Sequence, residues 1–389
     1  MKFPKWPQYS QEEIKKVNDI LISGNVNYWT GEEGKNFEKE FSNFCLSKYA
    51  ITLANGSLAL SAAYLALGVK NDAELITTPR TFIATSSSAY LLKARPIFAD
   101  VDINSGCITA EFIEPLITKY TKAICVVHIG GWPCDMESIC ELAKKYGIYV
   151  IEDCSQAHGA QINGKSVGSF GDVSVWSFCQ DKIISTGGEG GMLTTNSKDI
   201  YEKVWSFRDH GKTKNLMEFK NKSNEFRFIH ENFGSNFRLT EIQSAIGRIQ
   251  LSNISKTNKI RTNNAEILLE TLCPIKCLRI PLPEKNFKHG WYKFYCYLNF
   301  DYLKENWNRE KIISEINKDG YPAFSGGCSE IYLEKCFLNN NIRPNKRLKN
   351  AKLLGETSLM FLVHNTITKS IMKEYAEVIR NKLILAMKK

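Results

Sequence analysis

Ile148-Tyr149-Val150-Ile151-Glu152-Asp153-Cys154-Ser155-Gln156-Ala157-His158-Gly159 is an apolar run that ends on two acids. A short apolar, β-branched run that follows Gly147 reads as a strand covered on both faces of a parallel sheet. Ligands of such sheets sit beyond the C-terminal strand ends, which places Asp153 at a binding edge. A carboxylate there can pair with a ring nitrogen of a ligand and keep it protonated. The plainer alternative is an acidic strand terminus or helix N-cap.

Six more short apolar runs fall at residues 50–54, 74–78, 96–100, 123–128, 172–178 and 191–195. Helical patterns lie between them. Phe37, Phe41 and Phe44 recur at helix spacing, residues 57–67 are rich in Ala and Leu and stop at Gly68, and Met136–Tyr146 stops at Gly147. Strands alternating with helices predict a doubly wound, mostly parallel α/β sheet. One long helical pattern over 240–264 carries Ile242, Ala245, Ile246 and Ile249 on a single face. It leads into a second unit of α+β character, strand-like at 291–300 and helical at 309–317. The expected division is a large α/β domain, 1–255, and a small α+β domain, 256–389.

Two further stretches end runs on reactive groups. The run Asp172-Val173-Ser174-Val175-Trp176-Ser177-Phe178 leads through Cys179-Gln180-Asp181 to Lys182, then to a loop containing Gly187, Gly188, Gly190 and Gly191. A lysine beside such a glycine-rich loop is open to desolvation, which makes its neutral amine available to attack an aldehyde. An exposed loop lysine is the alternative. At Asn55-Gly56-Ser57 a strand gives way to a helix, whose first amides can hold an anion, with Ser57 as N-cap and hydroxyl donor.

The chain has 389 residues, 43% hydrophobic and 24% charged, with no apolar run of the roughly 18 residues a membrane span needs and no apolar segment of a secretory signal after Met1. Its 12 cysteines in a long chain read as reduced thiols, and Cys273 and Cys277 as packed thiols rather than a zinc pair, so no metal is expected. A net charge of +10 suits nucleic acid, anionic lipid or a phosphorylated metabolite. The lysines are spread along the chain without a basic block interleaved with aromatics, which argues against nucleic acid.

Together and in this order, Gly24 to Gly34, Asn55-Gly56-Ser57, Thr81-Phe82-Ile83-Ala84, Pro96 to Asp102, Glu152 to Gly159, Ser177 to Gly191 and Asn236 to Gln243 resemble the DegT/DnrJ/StrS sugar aminotransferase family. That family is a branch of the fold type I enzymes dependent on pyridoxal 5′-phosphate (PLP). The resemblance implies a seven-stranded, mostly parallel sheet and a cytoplasmic homodimer with shared active sites. It makes Lys182 the catalytic, Schiff-base lysine. Asp153 then faces the ring nitrogen, Gln156 the phenolic oxygen and Phe82 the ring face. Gly56, Ser57 and Ser177 hold the phosphate, Asn236 reaches it from the neighbouring subunit, and Arg238 is a candidate for substrate binding. The implied reaction moves an amine from an amino acid such as glutamate to a phosphorylated keto acceptor, a nucleotide-linked keto sugar of polysaccharide biosynthesis. Alternatives are a small ketose phosphate such as dihydroxyacetone phosphate, or a non-catalytic regulator of the same fold. Two comparisons with the family stand out. Cys179-Gln180-Asp181 departs from the aromatic or His and Pro common before the lysine. Lys182 is retained where dehydratase relatives carry histidine.

Overall fold

A computed structural model describes residues 3–213 and 228–388. Its strands, in chain order, are β1 (Tyr49–Leu53), β2 (Glu74–Thr77), β3 (Arg95–Phe98), β4 (Thr121–Val127), β5 (Tyr149–Asp153), β6 (Gln161–Ile162), β7 (Lys165–Ser166), β8 (Val173–Ser177), β9 (Gly191–Thr195), β10 (Leu278–Arg279), β11 (Phe287–Lys288), β12 (Phe294–Leu298), β13 (Ala323–Phe324) and β14 (Ser358–Phe361). The seven apolar runs all become strands of one sheet, ordered β1-β9-β8-β5-β4-β2-β3. Only β9 runs against its neighbours; the other pairings are parallel. This is the expected fold type I α/β sheet.

The sheet is covered on both sides, which explains its continuous apolar runs. Strand alternation sends Val173 and Val175 of β8 towards Ala59, Ala63 and Leu67 of the helix Gly56–Leu67. Trp176 faces the other way, onto Phe37 and Phe41 of the helix Glu33–Cys45. A four-stranded antiparallel sheet, β10-β12-β14-β13, forms the second layer system. Phe294, Cys296 and Phe361 pack there against Leu268, Tyr375 and Ile379 of the helices Ile254–Leu272 and Lys369–Ala386.

Two elements differ from expectation. The long helix over 240–264 is two helices, Glu241–Ser252 and Ile254–Leu272. At the break the Asn253 amide donates to the Ile249 carbonyl at 2.9 Å, competing with the backbone bond that would continue the helix. The strand expected from residue 291 begins at Phe294 instead. Trp291 has φ 48°, incompatible with a strand, and stacks on His289 at 4.0 Å. Among the described residues no helix is long and apolar enough to cross a membrane.

Candidate functional site

Register brings the scattered candidates to one edge. Gly191 of β9 pairs with Ser177 on one side and Leu53 on the other, so the ends of β8 and β1 lie in a row. Asp153, at the end of β5, pairs with Val175 of β8. Just past Leu53 the chain turns at Asn55-Gly56. A methyl on Gly56 would come within 2.8 Å of Ser177 Cβ, and one on Gly191 within 2.5 Å of the Asn55 carbonyl. Glycine is needed at both places for that close approach.

The helix start corrects one expectation. Its N-cap is Asn55, whose side-chain oxygen accepts the Leu58 amide at 2.9 Å, and Ser57 stands exposed in the first turn. Asparagine caps as well as serine and comes first in the chain, which leaves the Ser57 hydroxyl uncommitted to capping. Among the described residues no acceptor takes the Gly56 or Ser57 N–H. Two amides at the positive end of a helix therefore stand beside Ser177.

Asp153 is 5% exposed. Its Oδ2 accepts the Thr85 hydroxyl at 3.2 Å and its Oδ1 the Ser155 amide at 3.1 Å. Thr85 in turn shares a 2.9 Å hydrogen bond with Thr81. Gln156 accepts the Gly130 amide at 2.7 Å, which fixes its oxygen and leaves its NH2 as a donor. Phe82, next to Thr81, is 70% exposed, so core packing does not account for it. Lys182 closes a tight turn onto the Cys179 carbonyl. Its carbonyl accepts the Trp6 indole N–H at 2.8 Å, and its Nζ lies 3.6 Å from Asp181. Asp181 also accepts the Tyr292 hydroxyl. Burial works against ionisation of Asp181, but the Lys182 charge, the Tyr292 hydroxyl and Lys293 outweigh it and hold its carboxyl below the usual range.

Other candidates are engaged elsewhere or stand apart. Arg238 forms a 2.6 Å ion pair with buried Asp209. Asn236 is exposed, pairs with Asp209 through an isolated bridge, and accepts the Arg238 amide at 3.3 Å. The neighbouring Phe237 carbonyl accepts the Ala54 amide, placing this segment beside the end of β1. His158 is buried between Trp176 and Phe178, and among the described residues neither of its ring nitrogens has a hydrogen-bond partner. Burial first, then the charges of Lys182 and Arg261, push it down to about 3, so it is neutral and unsuited to act as an acid. The loop Ser325-Gly326-Gly327-Cys328-Ser329 lies against Tyr295, whose hydroxyl accepts the Gly327 amide at 3.1 Å. Sequence alone assigned no role to Thr81, Thr85, Asp181, Tyr292 or Trp6. Only the four-residue spacing of Thr81 and Thr85 offered a local signal.

The Gly56 turn, the Asp153 carboxylate with its two donors and the Lys182 loop follow the ends of strands in one sheet, and the family to which the sequence matches is that of PLP-dependent aminotransferases. The chain belongs to the DegT/DnrJ/EryC1/StrS aminotransferase family, whose sequence pattern matches residues 7–380. It is 38% identical over 287 residues to a dTDP-3-amino-3,6-dideoxy-alpha-D-galactopyranose transaminase of Aneurinibacillus thermoaerophilus, covering 74% of this chain and 75% of the relative. To a GDP-perosamine synthase of Vibrio cholerae it is 37% identical over 264 residues, covering 67% and 68%. The crystal structure of an aminotransferase from Psychrobacter cryohalolentis superposes with a TM-score of 0.97 at 46% identity, covering 99% of each chain.

Proposed function

We propose that the chain transfers an amino group from glutamate to the keto group of a nucleotide-linked sugar. The observation that carries this reading is the juxtaposition of Gly56, Ser177 and Asp153 at the sheet edge that ends in the Lys182 loop. The sugar-nucleotide names of the A. thermoaerophilus and V. cholerae relatives support the choice of acceptor.

PLP, when bound, supplies an electron sink for the carbanion formed at the donor's α-carbon. The free amides of Gly56 and Ser57 and the hydroxyls of Ser57 and Ser177 hold its phosphate. Asp153, oriented by Thr85 and the Ser155 amide, would pair with the ring nitrogen and hold a proton there. Gln156 would present its NH2 to the phenolic oxygen, and exposed Phe82 would cover the ring face. The Lys182 amine would hold the cofactor through its aldehyde and, when free, would move the proton from the donor's α-carbon to the cofactor, the reverse transfer to the acceptor's carbon completing the second half-reaction. Asn236 reaches the phosphate of the partner's site in a homodimer. Arg238, tied to Asp209, positions that segment.

The test is a spectrum and a screen. The purified protein should be yellow, its absorbance should shift on adding glutamate, and the aminated form should return to yellow with a nucleotide-linked keto sugar. A colourless protein that PLP does not restore sinks the reading as an aminotransferase. Return of colour with dihydroxyacetone phosphate and with no keto sugar moves the acceptor to the small ketose phosphates.

A further inference from the structure

A second cleft, of about 490 Å³, is lined in part by residues 3–6 of the N-terminal segment. Its wall includes Lys5, Trp6, Arg261, Lys293, Tyr321 and Asp181. It shares no residue with the Gly56–Ser177–Asp153 edge.

The charge in this wall is unbalanced. Arg261 is 1% exposed, and its Nε has no hydrogen-bond partner. Its guanidinium lies 5.3 Å from the Trp6 ring, and among the described residues its one side-chain hydrogen bond is a long 3.5 Å contact to Asn365. Among the described residues no carboxylate lies within 4 Å of Arg261 or Lys293. Lys293 sits 4.6 Å over the Tyr292 ring. Burial, partly offset by Asp181 and reinforced by Arg261 and Lys182, brings its ammonium down to about 8. Asp181 is the one acid in the wall, and it is already committed to Tyr292 and Lys182.

Buried cations without a counter-charge are costly, and the cost is removed by an anion. The volume is that of a small-molecule site rather than a single-ion site. We propose that this cleft binds a small anionic metabolite, its carboxylate or phosphoryl oxygens held between Arg261 and Lys293 and its body against Trp6 and Tyr321. The planar guanidinium suits a bidentate grip on either group, and the aromatic walls give the ligand's body an apolar surface. Trp6 ties the cleft to the lysine loop, because its indole N–H holds the Lys182 carbonyl. The inference does not rest on the identity of the sugar acceptor.

The experiment titrates the PLP-loaded protein separately with 2-oxoglutarate and with glucose 1-phosphate, following tryptophan fluorescence and heat of binding. The carboxylate and phosphoryl arms distinguish the two sources of the oxyanion. At least one ligand is expected to saturate below about 1 mM, with Lys293→Gln weakening it at least ~10-fold and Trp6→Phe abolishing the fluorescence response. Arg261→Gln is expected to weaken binding further. If that variant fails to fold, Lys293→Gln and Trp6→Phe decide the matter alone. Binding weaker than about 10 mM in both arms, or binding unchanged by Lys293→Gln, overturns the proposal.

Discussion

Glu152 and Asp153 are neighbours on β5, yet one is tied into the fold and the other, in the function proposed above, faces the cofactor. Strand alternation points them to opposite faces of the sheet. Glu152 is fully buried and its carboxylate is saturated. It accepts the amides of Gly168, Phe170 and Gly171 at 2.7–2.8 Å and the imidazole Nε2 of His128 at 3.2 Å. His128 Nδ1 accepts the Cys134 amide, so the ring carries its proton on Nε2 and the contact is a charge-assisted hydrogen bond. Cys154 completes a group with potential metal-ligand atoms, but the Glu152 oxygens already have protein donors. Asp153 has two donors and capacity to spare. A buried acid with every lone pair filled is structural, whereas an oriented acid with acceptor capacity at a strand end awaits a ligand.

The largest expected effect is at the edge where Asp153 lies. Lys182→Ala should lower turnover about 1,000-fold or more, while the variant still binds PLP noncovalently. Steady-state rates and the absorbance spectrum measure the two parts, and near-normal transamination in this variant would assign the chemistry to another lysine. The two acids come next and separate the faces of β5. Asp153→Asn should cost about 100-fold in kcat with little change in thermal midpoint. Glu152→Gln should instead cost about 3 kcal/mol of stability, because its NH2 would meet backbone donors. Equal stability losses in the two variants would erase the distinction.

The pH dependence of stability tests the same assignment. Burial alone would raise the Glu152 pKa, but the hydrogen bonds from His128, Gly171 and Gly168 outweigh it and set the folded value below the usual 4.5. Its contribution is therefore complete above the unfolded value and lost as pH falls through the folded one. Wild type should lose stability from about pH 5 downward more steeply than Glu152→Gln, a difference that denaturant unfolding at several pH values would measure.

What sequence made legible was whatever a local run encodes. Seven apolar runs gave seven strands of one sheet because both faces are covered, so each strand announces itself without help from its neighbours. The order of Gly56, Asp153, Ser177 and Lys182 supplied the family, and strand register then brought the first three to one edge. Less legible was anything decided by residues distant in sequence. Thr85 meets Asp153 across 68 positions, Tyr292 meets Asp181 across 111, and Trp6 meets Lys182 across 176. No periodicity carries such pairs. Competition between side chain and backbone was hidden in the same way, as the break at Asn253 and the cap at Asn55 show.

Thr85 sharpens the comparison by a smaller step. Thr85→Val keeps the shape and removes a donor from Asp153, so kcat/KM should fall about fivefold, corresponding to about 1 kcal/mol. No change in kcat/KM would mean that the Ser155 amide alone orients the carboxylate.

The smallest effects concern two adjacent polar groups that again divide structure from binding. Asn55 caps the helix and Ser57 does not, so Asn55→Ala should cost about 1 kcal/mol of stability. Ser57→Ala should change stability by less than about 0.5 kcal/mol yet raise the PLP dissociation constant roughly fivefold, by removing one phosphate donor. Thermal unfolding of the cofactor-free protein reads the first quantity and a PLP titration the second. Measuring without cofactor matters, because bound PLP stabilises the fold by mass action and would make a binding defect look like a lost cap. A Ser57→Ala variant that loses stability without cofactor and binds PLP normally would return the cap to Ser57 and remove its hydroxyl from the phosphate cradle.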